Sequence, residues 1–163
     1  MHHPKRLFRI NIGFLINQPI GYSRVFPFEV GDFFISPDLI LHELAGTVVL
    51  RRAQPGLQVE ADFQASITAN CVRCLEDFQL PLHATFEEIF TFEEHPLSEH
   101  EQIIPGNGYI DLEPFVRDYL LLQIPIKPLC KKNCKGLCAI CGQNLNQATC
   151  EHHKEAIEGS VIG

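Results

Sequence analysis

Residues 57–70, LQVEADFQASITAN, alternate apolar and polar side chains along their whole length. Every odd position, from Leu57 to Ala69, is apolar, and every even position, from Gln58 to Asn70, is polar. Because successive side chains of a strand point to opposite faces, the pattern predicts a long strand with one buried and one hydrated face. Such a strand belongs to a sheet that packs one face on a core.

The segments on both sides of this strand extend the predicted sheet. Residues 78–87, FQLPLHATFE, alternate in the same way, with Pro81 on the polar side, which indicates an edge strand or a bulge. Residues 46–52 form a further strand, joined to the first through the turn signal QPG at 54–56. Earlier strands are predicted near residues 8–16 and 24–30. The fold class is therefore α+β, mainly an antiparallel meander, with closure into a barrel-like sheet as an alternative.

One or two helices are expected beside the sheet. A short one can start at Ser36-Pro37, where a capping residue precedes a proline. Asp111 is a candidate cap for a helix near residues 111–123, which Pro125 prevents from continuing. Its apolar residues follow helical spacing: Leu112, Phe115, Val116, Tyr119 and Leu120.

Changes in amino-acid composition divide the chain into three predicted parts. Residues 1–128 are predicted to form the sheet domain with its helix. Residues 129–153 are rich in Cys, Lys, Gly and Asn and hold too few apolar side chains for a core, so this tail needs a staple. We expect the tail to pack on the predicted hairpin turn at residues 71–74. Residues 154–163 are predicted to be a flexible end.

The composition indicates a folded protein of the cell interior. The 163 residues are 45% hydrophobic and include 12 Phe, enough for the core of one domain. No apolar run approaches the roughly 20 residues that span a membrane. Residues 7–16 are apolar, but Arg9 and Asn11 interrupt them and no signal-peptide cleavage site follows. The predicted location is the cytoplasm.

Charge is distributed unevenly along the chain, whose net charge is −7. Eight acids and no Lys or Arg lie between Glu87 and Glu113. An acidic total disfavours wrapping of a long nucleic acid by charge alone. A local cluster of bases, however, could contact RNA or could merely keep a loop hydrated: Lys127, Lys131, Lys132 and Lys135.

The seven cysteines fall in two places. Cys71 and Cys74 form a CxxC at the turn between the two best strands, and the other five lie in the tail: Cys130, Cys134, Cys138, Cys141 and Cys150. Two CxxC units with three more cysteines close by are typical of a structural zinc site. Disulfides are the competing interpretation, which the missing secretion signal disfavours. Sites filled by thiolates leave no open position for a substrate, so catalysis by the metal is disfavoured.

A count of ligands permits one or two zinc ions per chain. Seven Cys and His152 make eight ligands, enough for two tetrahedral sites. We favour one site on Cys71, Cys74, Cys130 and Cys134, which would tie the tail to the hairpin turn. The second would use Cys138, Cys141, Cys150 and either His152 or His153. The rival arrangement is one zinc on Cys134, Cys138, Cys141 and Cys150.

These motifs together resemble one protein family. They are CVRCL at 71–75, FEEIF at 86–90, IDLEPFVRD at 110–118, LLQIP at 121–125 and CKGLCAICGQNLN at 134–146. In this order they resemble the YceD-like proteins, the large ribosomal RNA subunit accumulation family, over roughly residues 35–152. One departure is that the family's tail closes with a C-x-C pair, where this chain has Cys150-Glu151-His152.

The resemblance implies a non-enzymatic factor of ribosome biogenesis and rRNA processing. Its expected partner is large-subunit ribosomal RNA or a pre-ribosomal particle, with a ribosomal protein as a further candidate and no small-molecule substrate. If the first zinc site forms, an RNA-binding patch would gather beside it: Arg73, Lys127, Lys131, Lys132 and Lys135. The alternative is a zinc-stabilised adaptor whose acidic stretch, 87–113, binds a basic ribosomal protein. A redox enzyme or metalloenzyme would instead need a reactive CxxC with a depressed thiol pKa.

Overall fold

The structure is a computed structural model that describes residues 6–35, 37–54, 56–92 and 102–152. The chain divides into two compact units. The sheet unit consists of Met1–Ser66 and Pro81–Ile124, and the cysteine unit consists of Ile67–Leu80 and Pro125–Gly163. His153 and the predicted flexible end, 154–163, lie outside the described residues.

A five-stranded sheet is the largest element of the fold. Its strands are β2 (Ser23–Ile35), β3 (Leu39–Arg52), β4 (Gly56–Asn70), β5 (Asp77–Thr91) and β6 (Gln102–Ile103), which neighbour one another in chain order. The strands β2, β3 and β4 pair antiparallel, and β5 follows β4 in the strand order, so the predicted meander of residues 46–52, 57–70 and 78–87 is confirmed. The apolar odd positions of β4 from Leu57 to Ile67 are buried, as the alternation predicts.

The sheet is open, so the barrel-like alternative is not supported. The strands β2 and β6 are the two ends of the strand order, and no pairing joins them within the described ranges. The short strand β6 also pairs parallel to β5, with Phe90 opposite Gln102. The sheet is therefore mixed at this end and antiparallel elsewhere.

The predicted strand at residues 8–16 is only partly correct. The strand β1 covers Arg9–Asn11 and pairs antiparallel with β7 (Tyr109–Asp111), and the helix α1 (Gly13–Ile16) follows at once. The side chain of Asn11 explains the change, since its Oδ1 accepts a hydrogen bond from the Gly13 N–H at 2.9 Å. This local turn ends the strand and starts the helix.

The short helix predicted at Ser36-Pro37 is wrong. Residues 37–38 form a turn, and β3 begins at Leu39, which pairs with Ile35 of β2. Because the pairing closes so near this connection, the chain has room only for a hairpin turn. The two helices of the described residues are therefore α1 and α2 (Glu113–Leu121).

The helix α2 lies inside the predicted range 111–123. Asp111 accepts the Glu113 N–H on its Oδ1 at 3.0 Å, so it satisfies a free amide at the start of the helix. Leu112, Val116 and Leu120 are buried at helical spacing. No helix of the described residues has the length and apolar character that crossing a membrane requires.

A chain of aromatic rings fills the core of the sheet unit. The ring centroids of Phe8 and Phe63 are 5.7 Å apart, those of Phe63 and Phe86 are 6.5 Å apart, and Phe86 stacks on Tyr119 at 4.7 Å. These rings join β4 and β5 to α2 through large apolar surfaces. Part of the Phe-rich composition therefore forms one aromatic core in the sheet unit.

Candidate metal centres and basic surface

Four cysteines of the cysteine unit converge on one point. Cys71 and Cys74 lie in the β4–β5 turn, and Cys130 and Cys134 lie on the tail. Their sulfur atoms all lie within 4.8 Å of one another. Cys71, Cys74 and Cys134 are buried, and Phe78 and Leu129 pack against them. We call this group the buried cluster.

The spacing of these sulfurs matches a tetrahedral zinc site. The Sγ atoms of Cys71 and Cys134 are 3.8 Å apart, and those of Cys74 and Cys130 are 3.7 Å apart. Zinc–sulfur bonds of about 2.3 Å place the corners of a tetrahedron about 3.8 Å apart. A disulfide would hold its sulfurs at about 2.05 Å, and all seven cysteines are free. These two separations therefore fit the edges of a zinc–thiolate tetrahedron, and the four sulfurs together could hold a metal ion.

The second group, which we call the exposed cluster, is built from the tail alone. Cys138, Cys141, Cys150 and His152 place their ligand atoms within 4.8 Å of one another. Cys141 is exposed, while Cys138 and Cys150 are half-buried. Three sulfurs and one imidazole nitrogen form a recurring zinc ligand set. The structure thus groups the eight predicted ligands four and four.

The two CxxC turns share one backbone pattern. In the first, the Leu75 N–H donates to the Cys71 carbonyl at 2.9 Å, and the Cys71 N–H donates to the Glu76 carbonyl at 2.9 Å. In the second, Gly142 donates to Cys138 at 2.9 Å, and Cys138 donates to Gln143 at 2.9 Å. The residue after each CxxC has a positive φ, 62° for Leu75 and 76° for Gly142.

Backbone amides prepare the first thiol of each CxxC turn for a cation. The N–H of Cys74, with smaller help from Cys130 and Arg73, lowers the pKa of Cys71 to about 6 despite its burial. The N–H groups of Cys141 and Ile140 likewise lower the pKa of Cys138 to about 6. Hydrogen bonds to a sulfur favour its thiolate, which is the form that binds metals.

The other thiols of the buried cluster have pKa values that move in opposite directions. The side-chain amide of Asn146 lowers the pKa of Cys134. For Cys74, the N–H of Glu76 lowers the pKa, but burial and the Cys71 thiol raise it more. Burial, and then the neighbouring Cys134, raise the pKa of Cys130 to about 12. Four sulfurs this close cannot all ionise unless a cation lies among them.

Asn146 is a site residue that no sequence motif indicates. Its Nδ2 donates to the Sγ of Cys134 at 3.3 Å, and its Oδ1 accepts the Lys135 N–H at 2.9 Å. The Asn146 amide therefore holds the sulfur of a candidate metal ligand, and such hydrogen bonds orient the ligand. No spacing rule marks this residue, because its role depends on the turn that brings it back to Cys134.

The predicted RNA-binding residues all belong to the cysteine unit. Lys127, Lys131, Lys132 and Lys135 are exposed, and no ion pair joins them to a carboxylate within the described part of the chain. Arg73 donates from its guanidinium to the Cys134 carbonyl at 3.0 Å. Part of Arg73 therefore holds the turn to the tail, which the sequence did not predict.

Two backbone features hold the lysine-bearing segment to the hairpin turn. The Val72 N–H donates to the Pro128 carbonyl at 3.0 Å, next to Lys127. Gly136 has a φ of 76°, and a Cβ there would lie 3.3 Å from the Arg73 carbonyl oxygen. Glycine is therefore favoured at this position by backbone conformation and by space.

Several described acids of the stretch 87–113 accept hydrogen bonds within the sheet unit. Gln58 donates to Glu87 at 2.5 Å, and the Tyr119 hydroxyl donates to Glu88 at 2.8 Å. Asp111 supports the start of α2. Glu93, Glu94, Glu99 and Glu101 lie outside the described residues.

Comparisons with known proteins identify the family of the chain. The chain is 41% identical to the large ribosomal RNA subunit accumulation protein YCED homolog 1, chloroplastic, of Arabidopsis thaliana, over 64% of this chain and 42% of the relative. The homolog 1 of Zea mays is 26% identical over 61% of this chain and 45% of its own length. An uncharacterised protein of Mycobacterium leprae is 31% identical over 50% of this chain and 39% of its own length.

The chain thus spans half or less of the length of these relatives. No solved structure matches it. The family model described as large ribosomal RNA subunit accumulation protein YceD matches residues 59–160, which include most of β4, the whole of α2 and every cysteine. This protein belongs to the YceD family of large ribosomal RNA subunit accumulation proteins.

Proposed function

We propose that this protein is a non-enzymatic ribosome-biogenesis factor that supports accumulation or processing of large-subunit ribosomal RNA. Membership of the YceD family and the names of the plant relatives support a ribosome-related role. Its proposed partner is that RNA or a pre-ribosomal particle, met in the cytoplasm. The protein would act by binding and would transform no substrate.

Two zinc ions would serve this function structurally. Cys71, Cys74, Cys130 and Cys134 would bind the first, and Cys138, Cys141, Cys150 and His152 would bind the second. The sulfur spacing of the buried cluster supports this assignment, because it equals the edge of a zinc–thiolate tetrahedron. Four protein ligands on each ion would leave no position for water or substrate.

The proposed contact with RNA rests on the basic surface beside the buried cluster. Its bases are Arg73, Lys127, Lys131, Lys132 and Lys135. The hydrogen bond from Val72 to Pro128 attaches the segment that begins at Lys127 to the turn that holds Arg73. The cysteine unit has six bases and five acids, while the sheet unit has seven bases and fifteen acids. An RNA phosphate would therefore approach the cysteine unit in preference to the sheet unit.

Charge reversal of the four lysines tests this surface. Changing Lys127, Lys131, Lys132 and Lys135 to Glu should abolish co-sedimentation with pre-ribosomal particles and weaken binding to large-subunit RNA more than tenfold. The salt dependence of binding should also fall, by about 0.7–0.9 in log–log slope for each phosphate contact removed. Unchanged metal content would show that the unit still folds. Unchanged binding would mean that the lysines only hydrate the tail.

The acidic sheet unit favours one alternative function. Its excess of acids suits an adaptor that binds a basic ribosomal protein through residues 87–113. Replacement of Glu93, Glu94, Glu99 and Glu101 by Gln is the matched variant. If these changes release the protein from the particle and the lysine changes do not, the adaptor is correct and the RNA surface is wrong.

A further inference from the structure

A groove in the sheet unit lies far along the chain from the cysteines. It has a volume of about 480 Å³ and is lined by β1, by Phe14 of α1 and by the start of β2. Among the described residues that line it, the charged side chains are Arg9 and Arg24, and none is a carboxylate. A groove of this size, with aromatic walls and a few polar groups, has the usual character of a ligand site.

The register of β2 places this groove on the core side of the sheet. Arg24 pairs with Leu50 of β3, and Phe26 pairs with Val48. Leu50 and Val48 are fully buried, and directly opposite residues share a face of a sheet. Arg24 and Phe26 therefore continue the core face to the edge strand, where the core opens to solvent.

Both guanidinium groups lie over aromatic rings. The Cζ of Arg9 is 4.3 Å from the ring centroid of Tyr109, and the Cζ of Arg24 is 4.7 Å from that of Phe14 and 5.2 Å from that of Phe26. A guanidinium over an aromatic ring is attracted to the face of the ring, and its N–H groups remain available for an anion.

No carboxylate neutralises these two arginines in the described part of the chain. Asp111 lies opposite Arg9 in the β1–β7 pair, but its side chain accepts the Glu113 N–H and forms no ion pair with Arg9. Arg9 and Arg24 stand outside the ion pairs of the described residues, and they give the groove a local positive charge in a unit that has fifteen acids and seven bases. The groove therefore complements an anionic ligand.

We propose that this groove binds a single-stranded RNA segment, with Arg9 and Arg24 on its phosphates and a base against the Phe14–Phe26 side. Aromatic rings and stacked guanidinium groups hold unpaired bases in many single-strand binding proteins. An acidic peptide added to the edge of β2 is the rival occupant. Pro27 lines the groove and has no N–H to offer an incoming strand, which disfavours strand addition there.

This inference rests on the proposed function, because it gives the same RNA partner a second point of attachment. The basic surface would take phosphates without regard to base pairing. The groove would require unpaired nucleotides, because an RNA duplex keeps its bases stacked and out of reach. The two sites therefore predict different dependences on RNA structure.

The test measures binding of labelled RNA to the full chain by fluorescence anisotropy. The probes are single-stranded oligouridylate and oligoadenylate of about ten nucleotides and a duplex of the same length. The double variant Arg9→Gln/Arg24→Gln should weaken single-strand binding about tenfold and lower the salt slope by about 1.4, for two phosphates. Its binding to the duplex should change little.

Arg51→Gln provides a matched control on the same sheet. Arg51 pairs with Ser23 in register, on the face opposite Arg24, and contacts Glu60 at 3.8 Å. This variant should bind the single strand as the unaltered chain does. If the two variants melt at nearly the same temperature, a loss of stability does not explain weaker binding by the double variant. The loss then belongs to the contact of Arg9 and Arg24 with RNA.

Any one of four outcomes would contradict RNA binding in the groove. They are absence of single-strand binding by the unaltered chain, an unchanged affinity of the double variant, equal losses for single strand and duplex, or preference for oligoglutamate over RNA. The variant with four lysines changed to Glu separates the two proposals. If only the lysine variant loses RNA binding, RNA does not bind in the groove and the proposed function stands. If only the arginine variant loses it, RNA binds in the groove and not at the basic surface.

Discussion

The buried and exposed clusters begin from the same local structure and end in different surroundings. Each is built on a CxxC turn with the same two backbone hydrogen bonds and a positive φ at the next residue. The first turn joins the ends of two 15-residue strands, whereas a single bridge, Leu137 with Asn144, flanks the second. Local sequence therefore determines the turn but does not determine its surroundings.

The difference lies in what each cluster connects. Cys74 and Cys130 of the buried cluster are 56 positions apart, and the cluster is the core of its unit. The exposed cluster closes a short loop of the tail between Cys138 and His152. Loop-closure entropy grows only slowly with loop length, so burial makes the larger difference between them. Loss of the buried cluster should therefore disrupt the unit, and loss of the exposed cluster should loosen one loop.

Removal of each CxxC pair is the strongest test of this comparison. Cys71→Ser/Cys74→Ser and Cys138→Ser/Cys141→Ser should each lower the zinc content from two ions to one. Only the first should release the tail, at a cost of several kcal/mol, because a structural zinc site contributes to folding and these thiols are core residues. Metal analysis gives the first result, and hydrogen exchange at the Val72 amide gives the second.

The rival one-zinc arrangement makes a different prediction for the same pair. With a single ion on Cys134, Cys138, Cys141 and Cys150, the change at Cys71 and Cys74 would leave the zinc content at one. Equal hydrogen exchange at the Val72 amide in both variants would also contradict the comparison, since it would mean that the two clusters stabilise the cysteine unit equally.

Asn146→Leu should have an intermediate effect, confined to the buried cluster. Its amide donates to the Cys134 sulfur at 3.3 Å, and loss of such a partner typically weakens metal binding about 10–100-fold. Competition with a chromogenic chelator would measure the affinity of each ion. Gln147→Leu is the matched control, because Gln147 is exposed and donates through its backbone to Asn144. Equal weakening of both ions would assign Asn146 to the tail as a whole.

The smallest effects should come from the residue after each CxxC. Gly142→Leu should cost about 1–2 kcal/mol, because an L side chain is strained at positive φ, although an added Cβ would have no atom of the described residues within 4 Å. Leu75→Gly removes that strain from a side chain that is 59% exposed, while adding freedom to the unfolded chain. Its net effect should lie within about 0.5 kcal/mol of zero. Denaturant unfolding of the zinc-loaded protein would measure both.

A large loss of stability for Leu75→Gly would show that the two CxxC turns are not equivalent. It would mean that the Leu75 side chain supports the buried cluster through packing. A loss of particle binding without a loss of stability would instead place Leu75 on the partner-facing surface, which would explain an apolar side chain held in a strained conformation.

The sequence predicts the parts of this fold whose pattern is local and repeated. The alternation of residues 57–70 marks β4, and helical spacing marks α2. The sequence does not indicate the helix α1, because a single side chain, Asn11, ends the strand and four residues are too few to show a period. The sequence also does not distinguish the turn at 37–38 from a helix start, because proline after a capping residue suits both.

The candidate sites divide in the same way. Spacing alone identifies the CxxC turns. Asn146 and the pair Arg9 and Arg24 could not be found, because each acts with residues that only the folded chain brings near. The role of Arg73 on the Cys134 carbonyl was missed for the same reason.

The 56-position separation in the buried cluster also has a consequence during synthesis. At about 5–20 residues per second, Cys74 leaves the ribosome roughly 3–11 s before Cys130. Throughout that interval the hairpin presents two thiols, and the N–H of Cys74 lowers the pKa of Cys71, while Cys130 and Cys134 have not yet emerged. The nascent chain would therefore be most sensitive to oxidants and to competing metals before its tail emerges.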